Sequence, residues 1–231
     1  MKLLTTAIFL IYTTLTFAQE DSKKIFFSTF LQTGYSYRTI NNDYYHENPA
    51  GTFGGGLSVS YKLNKLKIES GIQYQQYALV SKFDGVTFGD QIDRQTGFIN
   101  TNNQDFNAVS FKYLHQYISI PLGINYNIIQ FGAKNSIHVS AGIASNFYVN
   151  SKVIQKKYKG NKSIERKSEN YIFDARKICL SSYYAVTYER SIKNIAFFVG
   201  PKFDLFHNPT TNSTSVKRTP YKVSLFVGVD F

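Results

Sequence analysis

Lys62, Lys67, Glu69, Lys177, Glu189, Lys202, Asp204, Lys222 and Asp230 all fall on the polar side of segments whose apolar residues recur at every second position. Ammonium and carboxylate groups set on one face can pair, relay protons or line an ion path. Enclosed together they must pair, because an isolated buried charge costs several kcal/mol. A second constellation has the residue types for nucleophilic catalysis: His207 stands near Ser213 and Ser215, with Glu189 and Asp204 on adjoining segments. The run His207-Asn208-Pro209-Thr210 reads equally well as a turn. His46, His115, His138 and His207 are dispersed without metal-ligand spacing. Asp84, Asp90, Asp93 and Asp105 lack the regular spacing of a calcium loop. Gly54-Gly55-Gly56 lies inside an alternating segment, where small residues ease curvature. No catalytic residue, metal or cofactor is expected on these grounds.

The segments that carry the charges are the stronger signal. From Tyr221 to Phe231, one face holds Tyr221, Val223, Leu225, Val227, Val229 and Phe231, and the other holds Lys222, Ser224, Phe226, Gly228 and Asp230. A period of two sets these on opposite faces of a strand. The same alternation runs through Phe53–Leu63, Ile118–Ile128, Ile137–Val149 and Ile195–Phe206, and more weakly through Ile25–Tyr37, Leu66–Leu79 and Ile172–Arg190. Eight segments of roughly 10–13 residues match tilted transmembrane strands. Their connections alternate short (Asn64–Lys65, Ile129–Asn135, Ser191–Asn194) and long (Arg38–Gly51, Val80–Phe111, Lys152–Tyr171, His207–Thr219). The expected fold is all-β: a transmembrane antiparallel up-and-down β-barrel of about eight strands. A barrel of that size is just wide enough to be filled by its own side chains. The interior charges therefore read first as a plug of salt bridges, with Lys62, Lys67, Glu69, Glu189 and Asp230 toward the short turns and Lys177, Lys202, Asp204 and Lys222 toward the long loops.

The N-terminus supports export. Lys2 precedes an apolar or threonine run from Ala7 to Phe17, and Ala18 precedes a polar stretch, as in a secretory signal peptide. That run is too short to cross a bilayer as a helix, which takes roughly 20 residues. The expected organisation is a cleaved signal over 1–18 and one barrel domain over 19–231. A single Cys179 excludes an intramolecular disulfide framework. A chain with 18 Tyr and 20 Phe suits strands. The net charge of +11 would suit nucleic acid in another compartment; in an exported chain the expected counter-charges are anionic lipid headgroups or surface glycans. The loop from Lys152 to Tyr171 concentrates it in Lys156, Lys157, Lys159, Lys162, Arg166 and Lys167. These could face lipopolysaccharide phosphates or simply keep the loop solvated.

Tyr117-Ile118-Ser119-Ile120-Pro121-Leu122-Gly123-Ile124 resembles the Y-L-x-I-P-L strand of the PorT-like small outer-membrane barrel domains, and Ala141-Gly142 and the terminal Phe231 fit the same pattern. The resemblance implies an eight-stranded barrel delivered by the outer-membrane assembly machinery. It also implies a family largely without known activity, some of whose members serve protein secretion. Phe231, a C-terminal aromatic on an alternating strand, would present that machinery with an apolar anchor on an exposed edge. The expected protein is a non-enzymatic structural or interaction element of the outer membrane, multi-pass, with periplasmic termini and secretion components among its candidate partners. A narrow small-solute channel is the alternative, and a lipid-acting enzyme a more distant one.

Overall fold

The computed structural model describes residues 24–39, 46–84, 91–92, 99–100, 108–159, 162–169, 175–210 and 219–231. The signal-peptide expectation, Asp90, Asp93, Asp105, Ser213 and Ser215 lie outside them. The strands are β1 (Ile25–Thr39), β2 (His46–Leu63), β3 (Leu66–Asp84), β4 (Gln91–Ile92), β5 (Ile99–Asn100), β6 (Ala108–Phe131), β7 (Asn135–Lys159), β8 (Lys162–Glu169), β9 (Ile178–Ile192), β10 (Ile195–Phe206) and β11 (Thr219–Asp230). Among the described residues there is no helix. Every pairing is antiparallel. Following the ladder through β1, β2, β3, β6, β7, β9, β10 and β11 returns to β1, since β1 pairs with both β2 and β11. The result is a closed eight-stranded up-and-down barrel, as the alternation of the sequence implies.

The barrel is inside out relative to a water-soluble core. Leu31 is 70% exposed and Ile143 60%, whereas Lys222 and Asp204 are each 1% exposed. Period-two strands on a closed cylinder can satisfy this sequence only by sending one set to the lumen and the other outward. The outward set has aromatic margins. Tyr61, Tyr126 and Tyr188 stand near the short turns, and Tyr35 and Phe53 farther up, with leucine, isoleucine and valine between. From Tyr61 to Phe53 the strand advances roughly 26 Å, about 20 Å along the axis of a barrel tilted ~40°. That is close to the apolar band of about 25 Å on outer-membrane barrels.

The two-residue turns are tight. Asn64 (φ 56°) and Lys193 (φ 57°) each open a hairpin in the left-handed region, which matches the right-handed twist of the flanking strands.

The structure departs from the sequence reading at the far end. β6 and β7 have 24 and 25 residues, against 12 each for β10 and β11. The wall therefore rises higher on one side than on the other. The expected loop Lys152–Tyr171 is largely a hairpin: β7 runs on to Lys159, and β8 pairs with it from Lys152↔Glu169 to Lys159↔Lys162. It takes the edge that β9, which covers Asn135–Phe147, leaves free. Here Val153 and Ile154 are adjacent and lysines fall on both faces of β7, at Lys156 and Lys157, so the alternation fades. High charge density reads as loop in the sequence, yet the backbone ladder continues through it. Conversely, β9 begins at Ile178 and not at Ile172.

Candidate functional site: the barrel interior and its two mouths

The lumen is layered. Near the short turns, Lys67 reaches Glu189 and Asp230, each at 3.1 Å, from three different strands. His138 joins them, 3.6 Å from Glu189 and 2.8 Å from both Ser136 Oγ and Asn125 Oδ1. The Lys67 ammonium also lies 5.2 Å from the centre of the Phe26 ring. Above this layer the Tyr183 hydroxyl donates to Glu69 at 2.8 Å, beside a cavity of about 90 Å³. Farther up, Asp204 is clamped between Lys202 at 3.2 Å and Lys222 at 3.3 Å. Lys222 and the Tyr77 hydroxyl both donate to Gln75 Oε1, each at 2.9 Å. An aromatic lid caps the stack. Tyr77 meets Phe206 edge-on at 4.6 Å between ring centres, and Tyr117 packs on both at 5.9 and 5.7 Å. These rings are fully buried.

Tyr183 owes its place to two glycines. Gly123 and Gly142 are cross-strand partners on β6 and β7. A Cβ on Gly142 would lie 2.6 Å from the Tyr183 ring, and one on Gly123 would overlap its hydroxyl. The bare backbone makes a seat for an aromatic that crosses to Glu69 on β3. Both glycines belong to the two stretches that carry the family resemblance.

The structure thus brings Lys67, Glu69, Glu189, Lys202, Asp204, Lys222 and Asp230 into the lumen, in two ion-pair clusters with the Tyr183–Glu69 contact between them. Lys177 does not join them: it is exposed in the bend before β9, because that strand starts one residue later. Lys62 is exposed at the short-turn mouth. His207 is exposed at the end of β10. The carboxylates considered for it are engaged elsewhere, Asp204 by two lysines and Glu189 by Lys67 at the opposite end. Phe231 faces outward and is 37% exposed, and its N–H donates to the Phe27 carbonyl at 2.8 Å, so even the last residue is held in the ladder.

On the hairpin, Lys156 pairs with Glu165 at 3.1 Å and Lys167 approaches the same carboxylate at 3.5 Å. The hydrogen bond from Lys156 holds the Glu165 carboxyl below its ordinary range. Directly opposed residues share a face of a hairpin, so this face is partly neutralised. Lys157, Lys159, Lys162 and Arg166 occupy the alternate register positions.

Sequence reasoning missed Tyr183, His138 and the aromatic lid. It also missed that each short turn carries a lysine: Lys65, Lys134 and Lys193. That last signal was legible, since three lysines placed by three turns must converge at one end of a barrel.

Neither a protein-family model nor a curated protein matches the chain. Among solved structures it is similar to Neisserial surface protein A, at 14% identity and a TM-score of 0.41 over 88% of this chain and 95% of that one. It is also similar to Ail, the attachment invasion locus protein of Yersinia pestis, at 12% identity and a TM-score of 0.41 over 89% and 98%. A third is the outer membrane protease OmpT of Escherichia coli, at 11% identity and a TM-score of 0.40 over 93% and 99%.

Proposed function

We propose that this chain is a PorT-like barrel of the outer membrane, with periplasmic termini, the long strands outside, and a non-enzymatic structural or interaction role. The observation that carries the reading is the side-chain filling of the lumen. Two ion-pair clusters and a lid of Tyr77, Tyr117 and Phe206 occupy the axis, so side chains fill the space a channel would need. The working surface is then the raised wall of β6, β7 and β8. Its basic hairpin suits the phosphates of lipopolysaccharide, screened over about 8 Å at physiological salt, or an anionic face of a secretion component. Phe231 serves recognition by the assembly machinery.

The cavity of about 90 Å³ within the lumen and the space of about 380 Å³ at its short-turn mouth favour the narrow channel as the second reading. Planar-bilayer recording separates the two. The purified barrel is expected to give no discrete conductance steps, and a Tyr77→Ala/Phe206→Ala variant to give small ones. Steps from the unmodified protein would replace the filled-lumen reading with the channel.

A further inference from the structure

The short-turn mouth is a vestibule of about 380 Å³ lined from all three tight turns and from the ends of β1 and β11. We propose that it is a binding site for a small polyanion bearing phosphate or carboxylate groups.

The argument is one of converging charge. Each turn contributes a lysine to the lining: Lys65, Lys134 and Lys193. Lys62 adds a fourth from the inward-facing series Ser58, Ser60, Lys62 of β2. Lys67 stands at the floor, where Glu189 and Asp230 are already held by it at 3.1 Å. The vestibule thus sets five ammonium groups against two carboxylates, and the four rim lysines form no ion pair among the described residues. Like charges gathered around a concave mouth focus the potential on its axis and raise the local concentration of anions. Asn127 and Gln130 add amide donors within the same lining. The volume falls in the range of small-molecule sites, roughly 300–1,000 Å³. Lysines meant only for lipid headgroups would project from the outward face, with Tyr61 and Tyr126; Lys62 is on the opposite one.

The test is isothermal titration calorimetry on the full mature protein, refolded in a non-ionic detergent at low salt, with inorganic tripolyphosphate and, separately, citrate. Saturable one-to-one binding of either probe is expected. It should weaken at least tenfold in a Lys62→Gln/Lys134→Gln/Lys193→Gln variant and stay within twofold in a Lys156→Gln/Lys167→Gln hairpin variant. Tripolyphosphate alone binding assigns a phosphate ligand, citrate alone a carboxylate, and both a site that reads charge; each supports the proposal. Heat-modifiable gel migration verifies that the variants are folded. Should the triple variant misfold, Lys134→Gln alone is expected to weaken binding at least threefold. Absence of saturable binding for both probes, undiminished affinity in the vestibule variants, or loss through the hairpin variant would overturn it.

Discussion

Lys67 supports two carboxylates at once, and its loss would be felt by both. Lys67→Met would leave Glu189 and Asp230 with one another and His138 in a space where each is less than a sixth exposed. Removing one partner of a buried pair costs about 3–5 kcal/mol. The urea midpoint of the refolded barrel is expected to fall accordingly, and an unchanged midpoint would show the cluster to be well hydrated. Gly123 tests packing and not charge. Gly123→Ala drives a methyl into the Tyr183 hydroxyl; overpacking of this kind costs about 1–3 kcal/mol. Tyr183→Phe in the same chain should recover part of the loss, because it removes the colliding atom. If it deepens the loss, the hydrogen bond to Glu69 outweighs the clash. The charged residues of the lumen could be read from a period of two. Tyr183 could not, because its role depends on which two glycines the register places opposite each other.

At the scale of elements, the hairpin of β7 and β8 is an addition to the barrel and not a part of its ring. The β7–β9 ladder ends at Phe147↔Ile178, below the first β7–β8 pair. Replacing Ile154–Lys167 by Asn-Gly, a sequence suited to a two-residue turn, is expected to leave heat-modifiable migration intact. Binding to vesicles containing lipopolysaccharide should drop at least tenfold. Failure of the shortened chain to fold would mean that the high wall templates closure of the ring. Strand count and facing were legible because lipid outside and side chains inside impose opposite demands on alternate residues. Strand length was not: above the apolar belt both faces can be polar, so the alternation fades although the backbone ladder continues. Lys177 is the opposite case: the alternating segment starts at Ile172 in the sequence, whereas the β9 ladder starts only at Ile178.

At the scale of the whole molecule, lysines gather at both ends of the cylinder, Lys62, Lys65, Lys134 and Lys193 at the short-turn mouth and Lys156, Lys157 and Lys167 on the hairpin. Phe231 bears on how that cylinder reaches its membrane. Deleting it removes a partly exposed aromatic, worth at most about 1.5–3 kcal/mol, and one backbone hydrogen bond worth about 1 kcal/mol. Refolding into micelles should be nearly normal, while the assembled amount in cells should fall severalfold with periplasmic degradation of the chain. Equal losses in both assays would make Phe231 a packing residue only. The central claim, a membrane-spanning barrel with its raised hairpin outside and its tight turns inside, is tested most directly by cysteine labelling of intact cells. The native thiol, Cys179, is buried, and Cys179→Ser provides a silent background. With a membrane-impermeant maleimide, Lys162→Cys is predicted to label on intact cells, and Lys65→Cys only after the outer membrane is permeabilised. Labelling of Lys65→Cys from outside, or protection of Lys162→Cys until permeabilisation, would contradict the account.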